Sequence, residues 1–315
     1  MNTTTPSARH ILIPCDFSEG SRQSLLAAVA LARQTGARLT LLYVLPVTLP
    51  PDISHLGATL NTGKLLQTAR EQLTALARAN VPAEIPAEIL VAEGGPYHEI
   101  NATARQLNAD LILIATHGHS GLKHLLLGST AERVVRHAPC PVLTWRLGAD
   151  ASPPTPKFQN LLVPVDFSPA TDQALRHAMH YVREFAGKIT LLHVVEPPPY
   201  PEWGYAHLVR RDTALKTIAR KKLDTLTTDL ERQGCTVNAI RIVTGDADTQ
   251  ICHTAEQLHP DLLIIPTHGH SALTQMFLGG TAERVVRHAA CPVLVVRAKA
   301  PVITRSKKTS APKKS

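Results

Sequence analysis

Apolar residues in the first half of the chain form short runs that alternate with segments of helical periodicity. The run 110–115 is apolar at every position after its first, as in a strand buried on both faces of a sheet. Segment 23–34 instead places apolar residues at the spacing of an amphipathic helix. The pattern predicts strands over 10–15, 38–44, 85–92, 110–115 and 141–146, and helices over 23–34, 64–79, 96–107 and 129–138.

This strict alternation of strand and helix is typical of a doubly wound α/β fold with a parallel sheet and helices on both faces. Local sequence signals mark the start of the first helix in each half. Ser18 is a suitable N-cap for the first helix, and its counterpart Ser168 is followed by Pro169, a residue favoured at the first helical position.

The chain repeats itself once. Residues 108–146 align without gaps to residues 259–297, with 25 of the 39 positions identical, and the block TAERVVRHA stands at both 130–138 and 281–289. Two such copies in 315 residues predict two tandem Rossmann-like domains. We expect a first domain over 1–148, a proline-bearing linker over 149–156, a second domain over 157–298 and a disordered basic tail over 299–315.

Composition and charge argue against a membrane-spanning protein and against a nucleic-acid-binding fold. Hydrophobic residues make up 44% of the chain, enough for two cores, and no apolar run approaches the ~20 residues of a membrane helix. The polar N-terminus lacks an apolar signal region, so we expect a cytoplasmic protein. The net charge is +8, but residues 298–315 carry six basic residues and no acid. The body is therefore close to neutral, which argues against a nucleic-acid-binding fold.

Little in the sequence supports a metal site or a reactive cysteine. The five cysteines form no C-x-x-C pair, and buried reduced thiols are the expected state. His117 and His119 stand at alternate positions, yet no acid or cysteine at convincing spacing completes a metal site. We therefore predict no resident metal site and no catalytic residue.

Two polar features follow predicted strands in each half. Asp16 and Asp166 end the first strand, and the segments 116–121 and 267–272 follow the fourth strand and lead toward a helix start. Ligands of doubly wound folds bind at the carboxyl ends of strands, and glycines at a helix N-terminus suit a phosphate. A ligand-free explanation is also open. Ser129 and Glu132 fit a capping box, and Asp16 suits a turn or helix cap.

Taken together, these motifs resemble the universal stress protein family in a tandem form, over both halves almost end to end. The shared motifs are V/I-P-x-D-F-S, T-H-G-H-S, G-S-T-A-E-R-V-V-R-H-A and C-P-V-L. The resemblance implies a five-stranded parallel sheet of order 3-2-1-4-5 in each half. It also implies that the fifth strands pair, which makes the two halves an intramolecular pseudo-dimer. Further association into a homodimer is left open.

The resemblance implies an adenine nucleotide site, with ATP as the cofactor and Mg²⁺ accompanying it. The ATP-binding branch of the family carries G-x-x-G, nine residues, then G-[ST]. The first-half site would comprise Asp16, Val44, Ala115, Gly118, His119, Gly128, Ser129 and Thr130. A weaker second site would comprise Asp166, Val194, Gly269, Gly279, Gly280 and Thr281.

The second half departs further from the motif than the first. Ala115 adds one methyl group where the motif has its first glycine, whereas Pro266 removes the backbone N–H there, and Gly280 lacks the hydroxyl group of Ser129. We therefore expect the first half to bind ATP better. The leading hypothesis is a nucleotide-binding regulatory stress protein without fast catalysis. A slow ATPase or nucleotide hydrolase, and a protein-interaction module that binds no nucleotide, are the alternatives.

Overall fold

A single ten-stranded sheet runs through both halves of the chain. The computed structural model describes residues 9–46, 62–116, 127–146, 156–197, 205–267 and 278–297. The strands are β1 (His10–Pro14), β2 (Arg38–Pro46), β3 (Ala87–Gly94), β4 (Leu111–Ala115), β5 (Val142–Trp145), β6 (Asn160–Pro164), β7 (Lys188–Val195), β8 (Val237–Thr244), β9 (Leu262–Pro266) and β10 (Val293–Val296). The helices are α1 (Glu19–Thr35), α2 (Thr62–Asn80), α3 (Pro96–Gln106), α4 (Ser129–His137), α5 (Pro169–Phe185), α6 (Tyr205–Arg232), α7 (Ala247–Leu258) and α8 (Gly280–His288).

The strand order is β3-β2-β1-β4-β5-β10-β9-β6-β7-β8. Within each half the neighbours are parallel, which confirms the predicted order 3-2-1-4-5. Between the halves, β5 and β10 pair antiparallel, with Leu143 opposite Leu294. The predicted pairing of the fifth strands is therefore confirmed, and it leaves neither apolar strand at an open sheet edge.

The sheet separates two apolar cores, each continuous across both halves. Alternate residues of a strand face opposite sides, so Ile11 and Ile13 join one core and Leu12 joins the other. Helices α1, α2, α5 and α6 cover the first core, and α3, α4, α7 and α8 cover the second. All of these strand side chains are fully buried, as expected for a sheet covered on both faces.

Local sequence signals explain the helix ends. Ser18 is the N-cap of α1, and its Oγ accepts from the backbone N–H of Ser21 at 3.2 Å, as predicted. Gly36 ends that helix in the left-handed region at φ 69°, where glycine is favoured. Ser168 is the N-cap residue of α5, but its side chain makes no capping bond, and Pro169 occupies the first helical position.

Some boundaries differ from the sequence prediction. Strand β3 begins at Ala87 because Ile85 is used in a turn, with its N–H donating to the carbonyl of Pro82 at 3.0 Å. Most of the linker and the whole basic tail lie outside the described residues. Within the described part of the chain, no helix is long and apolar enough to cross a membrane.

Candidate functional site

A crevice opens in the first half where the strand order reverses. Pairing of β1 with β4 ends at Leu12 and Ile112, before either strand ends, so the two strands separate toward their carboxyl ends. The crevice has a volume of about 340 Å³. The residues that line it are Pro14, Cys15, Asp16, Ser21, Leu42, Tyr43, Val44, Pro46, Pro96, Ile100, Ile114, Ala115, Thr116, Gly128, Ser129, Thr130 and Ala131.

The second half repeats this crevice between β6 and β9. Its volume is about 400 Å³. The residues that line it are Pro164, Val165, Asp166, Thr171, Leu192, His193, Val194, Glu196, Ala247, Ile251, Ile265, Pro266, Thr267, Gly279, Gly280, Thr281 and Ala282. We call these two cavities the first and the second crevice.

Asp16 is held in place by the turn that follows β1. Its Oδ1 accepts from the backbone N–H of Ser18 at 3.0 Å and from the Ser18 hydroxyl group. Phe17, between them, has φ 64°, and its ring packs against Tyr43 with centroids 4.8 Å apart. The expected turn cap is therefore present, and the same carboxylate also lines the first crevice.

Asp166 is held in the same way by a different hydroxyl group. Its Oδ1 accepts from the backbone N–H of Ser168 at 2.9 Å and from Oγ1 of Thr171 at 2.6 Å. The turn residue Phe167 has φ 62° and packs against His193, whose Nδ1 donates to the carbonyl of Val165 at 2.7 Å. Both halves thus present a fixed aspartate from the turn after their first strand to their crevice.

The start of α4 contradicts the capping-box interpretation. Gly128, not Ser129, is the N-cap, and among the described residues no side-chain capping bond is made at this end. Ser129 is the first helical residue, and the Glu132 carboxylate binds Arg136 at 2.9 Å instead. The first turn of α4 therefore offers its backbone donors to the crevice rather than to a serine side chain.

Glycine at position 128 permits a close backbone contact. Its N–H donates to the carbonyl of Thr116 at 2.8 Å, which ties the start of α4 to the end of β4. A Cβ atom at this position would lie 3.3 Å from the same carbonyl oxygen. Gly279 makes the equivalent bond to Thr267 at 2.8 Å, so both halves have the same crevice floor.

Ala115 and Pro266 give the two crevices different donors. Thr116 donates its N–H to Trp145 of β5 at 3.0 Å. Because the N–H groups along a strand alternate between its two neighbours, Ala115 directs its own N–H toward β1, on the crevice side. Thr267 makes the matching bond to Val296 at 2.9 Å, so Pro266 occupies the equivalent position without an N–H.

The structure brings together most of the sequence-predicted site residues. In the first crevice these are Asp16, Val44, Ala115, Gly128, Ser129 and Thr130, and in the second Asp166, Val194, Gly279, Gly280 and Thr281. Gly118, His119 and Gly269 lie outside the described residues.

Sequence reasoning missed the wall that the third helix of each half contributes. Pro96 and Ile100 of α3 line the first crevice, and Ala247 and Ile251 of α7 line the second. The signal was available, since both isoleucines lie in helices that directly follow a strand at a glycine, and such helix starts border the switch point of a doubly wound sheet.

The thiol that lines the first crevice is buried and protonated, and two further thiols with a raised pKa lie before β5 and β10, away from the crevices. Cys15 lines the first crevice, and burial raises its pKa to about 12. Burial likewise raises the pKa of Cys140 and of Cys291 to about 12. These thiols are therefore packing groups at neutral pH rather than nucleophiles. The described residues contain no group of three His, Cys, Asp or Glu side chains placed to hold a metal ion.

Comparison with known proteins gives a consistent result. The model of the universal stress protein family matches residues 7–146 and again 157–297. Universal stress protein E of Escherichia coli K12 is 24% identical over 309 residues, covering 92% of this chain and 94% of its own length. Universal stress protein YxiE of Bacillus subtilis 168 is 33% identical over 144 residues, 43% of this chain and 97% of that protein. A universal stress protein structure from Archaeoglobus fulgidus has a TM-score of 0.69 at 25% identity, covering 92% of this chain and 97% of that one.

Proposed function

The chain belongs to the universal stress protein family, and from this premise we propose that its first crevice binds an adenine nucleotide, in a regulatory rather than a rapidly catalytic role. ATP accompanied by Mg²⁺ is the expected ligand. The observation that carries the proposal is the uncapped start of α4 at the floor of the first crevice.

The phosphate groups are assigned to the α4 end of the crevice. Helix N-termini favour anions through oriented N–H groups and the helix dipole. Gly128 allows the backbone to approach closely, and the hydroxyl groups of Ser129 and Thr130 add further donors. The Glu132 carboxylate in the first turn of α4 is engaged by Arg136 and Arg287, and that of Asp16 is held by the turn at Ser18, so we assign the site to holding a nucleotide rather than to hydrolysing it.

The base is assigned to the opposite wall. Asp16 offers a carboxylate oxygen to amino groups of the ligand, and Val44 and Ile100 supply an apolar surface. A mostly apolar cavity with a few fixed polar groups is typical of small-molecule sites.

The second crevice is the poorer nucleotide site in this proposal. Pro266 lacks the N–H that Ala115 directs at the crevice, and Gly280 lacks the hydroxyl group of Ser129. A lost hydrogen bond to a charged group corresponds to about 1.5–3 kcal/mol, or roughly tenfold or more in affinity.

The test is isothermal titration of the full chain with ATP and Mg²⁺. We expect one tight site per chain, and Ser129→Gly should weaken it roughly tenfold. The matched variant is Gly280→Ser, which fits sterically because a Cβ at this position meets no atom within 4 Å. It should leave the tight site unchanged and strengthen binding in the second half. A wild-type chain that binds no ATP would overturn the proposal and favour a protein-interaction module. Rapid phosphate release in the same samples would favour the hydrolase alternative.

A further inference from the structure

We infer that the second crevice selects an uncharged nucleoside over a nucleoside polyphosphate. The inference rests on the proposed function, because it takes the base-binding wall to work alike in both halves. The two crevices would then recognise one base but different phosphorylation states, and the chain would respond to two related ligands.

The base-binding wall is preserved in the second half. Asp166 is fixed by two donors as Asp16 is, and Val194 and Ile251 stand where the first half has Val44 and Ile100. The second crevice is also the larger one, at about 400 Å³ against about 340 Å³. The aspartate, valine and isoleucine assigned to base binding are therefore present in both crevices.

One edge of the second crevice is lined by a carboxylate that has no counterpart in the lining of the first. Glu196 lines the second crevice at the position of Pro46, and its Oε1 accepts from the N–H of Ala247 at 3.3 Å. This contact places a negative charge at the start of α7. In the first half, Pro96 stands at the start of α3 and has no N–H to offer.

The same edge continues into the first turn of α7. Asp246 is the N-cap of α7, where α3 has Gly95. Asp248 follows in the first turn, at the position of Tyr97 in α3. Both acidic residues flank Ala247, which lines the crevice. Three carboxylates thus stand where the first half has Pro46, Gly95 and Tyr97, whereas Glu99 in the first turn of α3 has the uncharged Gln250 as its counterpart in α7.

Arg133 and Arg284 occupy equivalent positions in the two halves but have different partners. Arg133 of α4 lies over the ring of Tyr97, with Cζ 5.2 Å from the ring centroid, and an aromatic ring leaves its positive charge in place. Arg284 of α8 instead binds Asp248, with Nη1 and Oδ2 3.3 Å apart. Asp248 and Arg284 therefore offset each other's charge, so the repulsion of a phosphate at this edge is assigned to Glu196 and Asp246.

These differences act against a polyphosphate and leave a neutral ligand unaffected. Screening at physiological salt acts over about 8 Å, so carboxylates at the crevice edge repel phosphate charges within it. Adenosine has the same base and sugar as ATP but no charge at neutral pH. Its binding needs the wall of Asp166 and Val194, and needs neither the N–H lost at Pro266 nor the hydroxyl group lost at Gly280.

The test is a titration of the full chain with adenosine after the first crevice has been saturated with ATP and Mg²⁺. We expect one adenosine site per chain under these conditions. Asp166→Asn should remove this adenosine site and leave ATP binding unchanged, whereas Asp16→Asn should remove the tight ATP site. Each asparagine keeps the Oδ1 acceptor that its turn requires, so the local fold is preserved.

A charge variant tests the electrostatic cause. Glu196→Gln with Asp246→Asn keeps the shape of the edge and should strengthen ATP binding in the second crevice by roughly tenfold, with adenosine affinity changed less than about twofold. The control is Asp229→Asn with Glu231→Gln, which removes the same charge at the far end of α6 and should change neither affinity.

The outcomes separate this inference from the proposed function. If wild-type chain binds ATP equally in both crevices, or if ATP displaces all adenosine, the inference is wrong and nucleotide binding stands. If ATP binds nowhere while adenosine still binds in a manner that requires Asp166, the inference stands and the assignment of ATP to the first crevice fails.

Discussion

Arg136 on α4 donates from Nη2 to Oε2 of Glu283 on α8, at 3.2 Å, and so joins the last helices of the two halves. Arg287 reaches Glu132 across the same junction at 3.5 Å. Each arginine also binds the glutamate one turn earlier in its own helix, at 2.9 Å and 3.2 Å. The four side chains are only 25–30% exposed, so this network is shielded more than a surface ion pair.

We predict that Arg136→Gln lowers the free energy of unfolding by about 1–2 kcal/mol. This estimate lies between the values for exposed and buried ion pairs, because the network is half-buried. Arg22→Gln is the matched control, since Arg22 binds Glu19 with both side chains well exposed, and it should lower stability by less than about 0.5 kcal/mol. Urea denaturation measures both effects, and equal losses would show that the network adds nothing to the junction.

An arginine from each half also binds the carbonyl end of the last helix in the other half, and the two arginines make different numbers of hydrogen bonds. Arg146 donates to the carbonyls of Arg287, His288 and Ala289 at the end of α8, at 2.7, 3.3 and 2.8 Å. Arg297 makes one such bond, to Ala138 at 2.8 Å. We expect Arg146→Ala to lower the free energy of unfolding by about 2 kcal/mol and Arg297→Ala by about 1 kcal/mol. A larger loss for the Arg297 variant would contradict this ranking.

His10 gives the fold a dependence on pH. Its side chain is buried, and Nε2 shares a hydrogen bond with Oγ1 of Thr40 at 2.8 Å. Burial lowers the pKa of His10 below its ordinary value of 6.5, and Arg38 lowers it further, while a hydrogen bond with the backbone of Leu107 and the charges of Asp110 and Glu88 act in the opposite direction. The folded state therefore favours the neutral ring. Its contribution to stability is present above pH 6.5 and is lost as pH falls below 6.5 toward the folded pKa.

The variant His10→Asn tests this dependence, because the second half carries Asn160 at the equivalent position. Stability measured from pH 8 to pH 5 should fall less steeply for the variant than for the wild type. A fall of the same slope in both proteins would show that another group controls the acid transition.

The raised pKa values of three thiols predict slow chemical modification. With pKa values of about 12, Cys15, Cys140 and Cys291 are almost wholly protonated at pH 8, and only the thiolate reacts. Mass spectrometry after iodoacetamide treatment should show these three cysteines unmodified in the folded chain and all five modified in guanidinium chloride. Rapid modification of Cys140 in the folded chain would contradict its assignment as a packing group.

The strand order and the β5–β10 junction were predicted from the resemblance to the universal stress protein family, whereas the residue patterns alone predicted a doubly wound parallel sheet in each half. Fully apolar runs such as that of β4 identify strands buried on both faces, and the internal repeat requires that both halves share one topology. The Ser18 cap was equally predictable, because its signal is local to one turn.

Contacts between residues far apart in the sequence could not be predicted in this way. The spacing of Ser129 and Glu132 satisfies a capping box, yet Gly128 takes the N-cap position and Glu132 binds Arg136 and Arg287. Those partnerships depend on how α4 and α8 meet, which no local pattern encodes. The acidic edge of the second crevice was visible in the repeat, but its importance follows only once Glu196 is seen to line the cavity.

The central claim is that the first crevice binds an adenine nucleotide, and a crystal structure of the full chain grown with ATP and Mg²⁺ tests it most directly. We predict the base between Asp16 and Val44, and the phosphate groups at the start of α4 against Gly128 and Ser129. Nucleotide found only in the second crevice, or at a surface away from both, would contradict the account.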